Sequence, residues 1–339
     1  MKTLIIAEVG SVHDGSFGNA KCLIEAAAQC GADAVKFQTH IAAAETLPNA
    51  PMPPFFTGEP RYQYFERTGF RPEQWRALKD HCRAHGVEFL SSPFSEEAVD
   101  LLEAVGVARY KVPSGEVTNL PLLAKIARTG KPVLLSSGMS SWEELDAAVA
   151  TVRQDAEELT VLQCTSEYPC LYEQVGLNVM AEIQARYGVP TGLSDHTLTN
   201  YAVFAAVVQG ASVIEKHFTL SRRMYGSDAR HSLEPAEFAD MVQGIRAIET
   251  MLASPVIKSD IGRFVTMKRI FEKSIVARVT IPAGTVLTAA MLQIKKPGTG
   301  ISAARWHEVI GQRAVRMIQT DTVLVPEDLG WNSVIARAG

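Results

Sequence analysis

Two histidines occupy matched places in this chain. His196 lies near the end of TGLSDHT (191–197) and His217 near the end of SVIEKHFT (212–219), each after a short apolar run and within two residues of a carboxylate. Neutral imidazoles from neighbouring strands can hold one divalent ion. Oxygen ligation from Glu8 or Asp228 would make a mixed nitrogen and oxygen set, which suits Mn²⁺ or a similar ion better than structural zinc. The plainer alternative is a pair of buried histidines satisfied by hydrogen bonds.

A second constellation is cationic. Lys36 and Lys111 sit inside apolar runs, with Ser114 and Ser136 near them in the pattern. Ammonium groups beside hydroxyls and backbone N–H groups make a cradle for phosphate or carboxylate. Two other chemistries stay open: a buried Lys–Glu pair, or Lys111 as a Schiff-base nucleophile, since desolvation lowers a lysine pKa. A Schiff-base enzyme would have no need of the two histidines. Glu8, Glu116 and Glu215 can serve as general base, metal ligand or orienter of sugar hydroxyls, or can simply pair with lysine. Gln38 and Tyr168 are candidates for substrate hydrogen bonds. Cys164 and Cys170 have no obvious histidine base and read as core. His81 and His85, four apart on a helical pattern, read as a solvated face.

These residues must be positioned by something regular. Eight apolar runs recur: 3–10, 34–39, 87–94, 109–116, 132–139, 159–169, 191–197 and 212–219. Helical patterns such as AKCLIEAAAQCGA, PEQWRALKDHCRAHG and WEELDAAVATVRQ separate them. Runs apolar throughout suit strands covered on both faces. Eight such units in about 250 residues predict a (β/α)₈ TIM barrel. An open doubly wound sheet is the rival, but no G-x-G-x-x-G follows the first run. In a barrel the site is built at the strands' C-terminal ends. All eight ends are polar, supplying among others Glu8, Lys36, Gln38, Ser92, Lys111, Ser136, Ser166, Ser194 and His217. The Pro- and aromatic-rich segment 40–70 reads as a long loop over the mouth. The barrel is expected over residues 1–254, a linker over 255–272 and a small domain over 273–333. Within the last, IPAGTVLTAAML (281–292) and IQTDTVLVPEDL (318–329) form a weak internal repeat, which suggests two related β elements.

Bulk properties narrow the class. The 339 residues carry a net charge of −4 with no basic run, which argues against binding nucleic acid through phosphates. Five cysteines without a C-x-x-C pair suit a reducing cytoplasm. MKTLIIAEVG is too short an apolar run for a secretory signal, and no stretch reaches the roughly 18 residues a membrane helix needs. Residue chemistry alone thus predicts a metal-assisted cytoplasmic barrel enzyme acting on a small anionic, phosphorylated polar substrate.

The segments IIAEVGSVHDGS, AVKFQTH, SSPF, YKVPSGE, LLSSGM, CTSEYP, GLSDHT, IEKHFT and SLEP together resemble the sialic acid synthase (NeuB) family, and KKPGTGI with IPAGTVL resembles that family's C-terminal SAF, or antifreeze-like, domain. The resemblance covers nearly the whole chain. It implies a barrel with a β-clip cap, exchanged between the subunits of a homodimer. It implies condensation of phosphoenolpyruvate with an N-acetylated amino sugar to a nine-carbon α-keto acid. It also assigns roles: His196 and His217 to Mn²⁺ or Mg²⁺; Lys36, Lys111, Ser114, Ser136 and Ser194 to phosphoenolpyruvate; Glu8 and Glu116 to water; Gln38, Tyr168, Glu215 and Asp228 to the sugar or the metal. Several positions depart from the family pattern. Val12 precedes His13 where many members have Asn, Ser92 stands for Thr and Ser166 for Asn. Lys296 stands where an Arg commonly holds the sugar's N-acyl group, and a point charge does not replace a planar fork. The His that often follows Asp228 is absent, with Arg230 and His231 placed later. Two rival functions are a synthase acting on another aldose and a non-catalytic sugar- or ice-binding module.

Overall fold

The computed structural model describes residues 2–51 and 58–331. Within them the chain divides after Pro255 into two compact units.

The first unit is the barrel. Its strands are β1 (Leu4–Gly10), β2 (Ala34–Thr39), β3 (Glu88–Pro93), β4 (Tyr110–Val112), β5 (Val133–Ser136), β6 (Leu159–Cys164), β7 (Thr191–Asp195) and β8 (Val213–His217). All the ladders are parallel, in the order β3-β2-β1-β8-β7-β6-β5-β4, and β3 packs beside β4 to bring the ring nearly to closure. The helices are α1 (Phe17–Gln29), α2 (Ala42–Glu45), α3 (Arg61–Thr68), α4 (Pro72–Ala84), α5 (Glu96–Val105), α6 (Leu120–Ala127), α7 (Trp142–Val152), α8 (Leu177–Tyr187), α9 (Tyr201–Val208) and α10 (Pro235–Ala253). None of them is long and apolar enough to cross a membrane.

The strand period of two sets the interior. Ile6, Ala34, Leu90, Leu134, Leu162 and Val213 form one apolar cluster inside the ring. Two positions further along the same strands stand Glu8, Lys36, Ser92, Ser136, Cys164 and Glu215. The barrel therefore has an apolar floor and a polar layer above it. In β7 the floor position is Gly192, because a Cβ there would lie 2.4 Å from the Val213 carbonyl and 2.5 Å from Leu162 Cδ2.

Three strands, β4, β5 and β6, end three or more residues before their apolar runs do. The ladder of β4 stops at Val112, and Ser114–Glu116 form a 3₁₀ turn. Pro113 has no N–H to continue the pairing. β5 ends at Ser136 and β6 at Cys164. The leftover residues become loops around the mouth. The segment 40–70 is not simply a loop: it contains α2 and α3, with Pro60 preceding the first turn of α3 and Tyr64 and Thr68, four apart, buried on one face. Its proline-rich part, 52–57, lies outside the described residues.

The second unit has its own core of Ile275, Ile281, Leu287, Leu292, Leu324 and neighbours. Strands β9 (Ser274–Ala277) and β10 (Leu292–Lys295) pair antiparallel. The stretch expected as a linker is helical at its end, where α11 runs Val265–Phe271. The internal repeat is structural. Ile281 and Ile318 exchange backbone hydrogen bonds of 2.8 and 2.9 Å. Gly284 and Asp321, three residues into each copy, both adopt positive φ (83° and 59°), and Leu287 and Leu324, three further, are both buried.

Candidate active site

A cavity of about 400 Å³ opens at the C-terminal ends of the barrel strands. Glu8, Lys36, Gln38, Lys111, Ser114, Ser136, Ser166, Tyr168, Ser194, His196, Glu215, His217 and Asp228 line it. Three predicted residues do not. Ser92 is fully buried beneath, accepting a hydrogen bond from Lys36 Nζ at 3.2 Å. Glu116 sits in the 3₁₀ turn outside the lining, where Asn119 donates to it at 2.8 Å and burial raises its pKa. Lys296 belongs to the second unit, where its Nζ stands 5.0 Å over the Phe271 ring.

The floor of the cavity is a chain of buried charges. Strand register puts Glu8 level with Lys36 on one side and His217 on the other. Lys36 Nζ lies 2.9 Å from Glu8 Oε2 and 3.7 Å from Glu215 Oε1. Lys111 Nζ lies 3.6 Å from the same Glu215 oxygen and donates to Ser136 Oγ at 2.7 Å. The two lysines shift in opposite directions. Burial pulls on Lys36, but Glu215 and Glu8 outweigh it and hold its pKa above the ordinary value. Lys111 is pulled down by burial, which Glu215 offsets only in part, and the charge of Lys36 lowers it further. Glu215 is held ionised against its burial by Lys111 and Lys36.

Beside this chain stand the imidazoles, ring centroids 5.4 Å apart, with the Tyr168 ring 4.2 Å from His196 and 5.8 Å from His217. Burial, with the charge of His217, lowers the His196 pKa to about 3, so it is neutral. Its Nδ1 donates to the Thr165 carbonyl at 2.7 Å, which leaves the Nε2 lone pair as a ligand. Nδ1 of His217 is buried with no hydrogen-bond partner among the described residues. One oriented imidazole and one with an unsatisfied nitrogen fit a divalent ion.

The residues between the functional ones face the other way and explain the S-D-H and E-K-H spelling. Asp195 and Lys216 point away from the cavity and form a buried ion pair. Lys216 Nζ also donates to the carbonyls of Thr197 (2.5 Å) and Thr199 (3.0 Å), so it ties the β7 loop to β8. Replacing Asp195 by alanine would strand a buried ammonium. The expected cost is about 3–5 kcal/mol, read as a lower unfolding midpoint in denaturant. A loss under 1 kcal/mol would mean that the pair does not lock these ends.

Several lining residues carry no local sequence signal. The His40 ring is stacked between Phe65 (3.7 Å) and Phe94 (4.1 Å). It contacts Glu45 Oε1 at 2.7 Å and Gln38 Oε1 at 3.1 Å, and Gln38 Nε2 donates to Glu8 Oε1 at 2.8 Å. His40 thus orients the amide that holds Glu8. Arg61, Tyr64 and Phe65 reach the cavity from α3. At two glycines a Cβ would press on side chains of the site and force them to move. A Cβ at Gly10 would lie 2.5 Å from Asp228 Oδ2, and one at Gly138 would lie 2.5 and 2.6 Å from the Ser166 and Ser114 hydroxyls.

Comparison with known proteins agrees with this architecture. A NeuB family profile matches residues 23–256 and a SAF domain profile matches 272–330. The chain is 37% identical to the N,N'-diacetyllegionaminic acid synthase of Campylobacter jejuni over 331 residues, covering 95% of this chain and 99% of that protein. It is 34% identical to the human N-acetylneuraminate-9-phosphate synthase, covering 95% and 91%. The crystal structure of the N-acetylneuraminic acid synthetase of Leptospira borgpetersenii, in complex with citrate, superposes with a TM-score of 0.68 at 27% identity, covering 79% of this chain and 92% of that one.

Proposed function

The chain belongs to the NeuB family, and from that premise we propose that it condenses phosphoenolpyruvate with an N-acetylated amino sugar, N-acetylmannosamine or a 6-deoxy diacetamido hexose, to a nine-carbon α-keto acid and phosphate. The observation that carries this reading is one cavity in which two buried lysines among hydroxyls face two imidazoles.

Lys36 and Lys111, with Ser114, Ser136 and Ser194, hold the phosphoenolpyruvate anion. Glu215 fixes both ammonium groups in advance, so little reorganisation is needed when the anion enters. Lys111 is engaged by Ser136, by the Val112 carbonyl and by Glu215, which favours a charge role over a Schiff-base one. His196 and His217 would hold Mn²⁺ or Mg²⁺, which supplies Lewis-acid polarisation of a carbonyl when bound. In the condensation, C3 of phosphoenolpyruvate attacks the sugar's open-chain carbonyl carbon, water adds at C2, and the adduct loses phosphate with C–O cleavage. Glu8 takes the proton of that water, because it lines the cavity and Glu116 does not. Tyr168, its phenol kept protonated by burial, hydrogen-bonds the sugar.

The test is phosphate release from phosphoenolpyruvate with purified protein and Mn²⁺. N-acetylmannosamine and two 6-deoxy diacetamido hexoses, the ones that would lead to a legionaminate and to a pseudaminate product, are supplied separately, each with an EDTA control. Release with one sugar that EDTA abolishes is the expected result; no release with any of them would refute the proposal.

The homodimer with exchanged C-terminal units belongs to the same proposal. It is supported by the apolar residues Val265, Met267, Ile270 and Phe271 that α11 leaves half exposed. In that dimer Lys296 serves the other subunit's cavity. Lys296→Arg is therefore expected to change the ranking of kcat/KM among the three sugars while leaving KM for phosphoenolpyruvate unchanged. An unaltered ranking would remove Lys296 from the sugar site.

A further inference from the structure

Away from the barrel mouth, Glu25 of α1 meets His81 and His85 of α4 on the outer wall. One ligand atom from each of the three lies within 4.8 Å of the other two, and among the described residues no other trio of such side chains does so. His81 Nε2 is 2.9 Å from Glu25 Oε1, and the two imidazole rings are 4.6 Å apart. We propose that Glu25, His81 and His85 form a second metal site, which takes a borderline divalent transition ion such as Zn²⁺.

Donor chemistry selects the ion. Two imidazole nitrogens and one carboxylate oxygen suit Zn²⁺, Co²⁺, Ni²⁺ or Cu²⁺, whereas Mg²⁺ and Ca²⁺ prefer oxygen throughout. The helix supplies the geometry, since residues four apart project side by side from one face. Donors about 2.0–2.2 Å from a tetrahedral ion lie roughly 3.3 Å from one another, so small side-chain rotations close the trio on an ion. Access is open, as the side chains of His81 and Glu25 are 19% and 41% exposed.

The spelling HCRAH separates this site from a hydrolytic one. Zinc proteases place the same two histidines four apart but put a glutamate base directly after the first; here that position is the buried Cys82. The ion therefore acts as a cross-link. It ties α1 to α4, the two helices on either side of the 40–70 excursion whose residues His40, Arg61, Tyr64 and Phe65 wall the cavity.

The barrel imidazoles must be removed to read this site alone. Zn²⁺ affinity is measured by competition with a chromophoric chelator in His196→Ala/His217→Ala, and again after adding His81→Ala/His85→Ala. The double variant is expected to keep one Zn²⁺ with micromolar affinity and to show a visible Co²⁺ band. The quadruple variant should lose both, with affinity down by at least about 10-fold and the metal-free melting temperature unchanged. Glu25→Gln in the double variant should weaken binding in the same direction. Equal Zn²⁺ affinity in the double and quadruple variants, or no bound Zn²⁺ in the double variant, would overturn the assignment and leave only a Glu25–His81 hydrogen bond.

Discussion

Lys111→Met is expected to lower kcat/KM for phosphoenolpyruvate by about 10²–10³-fold, the usual price of removing one buried donor from a site of developing negative charge. Methionine keeps most of the volume, so packing is largely preserved. What disappears is an ammonium that donates to Ser136 at 2.7 Å and balances Glu215 from 3.6 Å. Lys36 remains as the counter-ion of Glu215, which limits the loss of stability. The pH dependence has a definite sign. Burial lowers the Lys111 pKa below 10.5, so the ammonium discharges earlier than an ordinary lysine as pH rises. KM for phosphoenolpyruvate should therefore climb on the alkaline side in the wild type, and this limb should vanish in Lys111→Met. Stability moves the other way. Between the lowered folded value and 10.5 the unfolded chain holds a proton that the folded chain lacks, so stability rises with pH across that window. A variant within tenfold of wild type, with the alkaline limb intact, would remove Lys111 from the anion site.

His217→Ala should abolish sugar-dependent phosphate release even at saturating Mn²⁺, a loss of at least about 10³-fold. If His217 were only a polar residue satisfied inside the barrel, alanine would cost stability and leave turnover largely intact. The two possibilities differ in a second readout. A ligand's removal lowers Mn²⁺ affinity, which the electron paramagnetic resonance signal of free Mn²⁺ measures without turnover. The buried Nδ1 of His217 lacks a hydrogen-bond partner among the described residues, which is costly for a merely structural residue. Unchanged Mn²⁺ affinity with near-normal release would sink the ligand role.

Most of the barrel was legible because strands buried on both faces must be apolar and must recur. The cavity residues on those strands were legible for the same reason, since a polar side chain two positions beyond an apolar floor residue stands out. Two kinds of feature were not. Strand ends depend on backbone donors, so β4 stops at Val112, just before Pro113, although its apolar run passes through that proline. Contacts between distant residues leave no local trace. Nothing near His40 announces that Phe65 and Phe94 will enclose it, and Glu25 lies 56 residues from His81. The helical pattern of PEQWRALKDHCRAHG was plain and its face is open to solvent at His85, but nothing local in it tells that α1 stands beside it. Gly10 and Gly138 likewise matter through what approaches them, Asp228 in one case and Ser114 with Ser166 in the other.

The alternation that sets His196 and Glu215 toward the cavity and Asp195 and Lys216 away from it has a consequence for insertions and deletions. A strand has only two faces, so removing one residue from β7 upstream of Ser194 would present Asp195 inward and turn His196 against the surrounding helices. No single later substitution would repair that exchange. A point change at the mouth alters one side chain, whereas a change in the length of β7 or β8 turns over every residue beyond it. The described residues of the excursion after β2 lie outside every ladder, so length variation can accumulate there without inverting a strand.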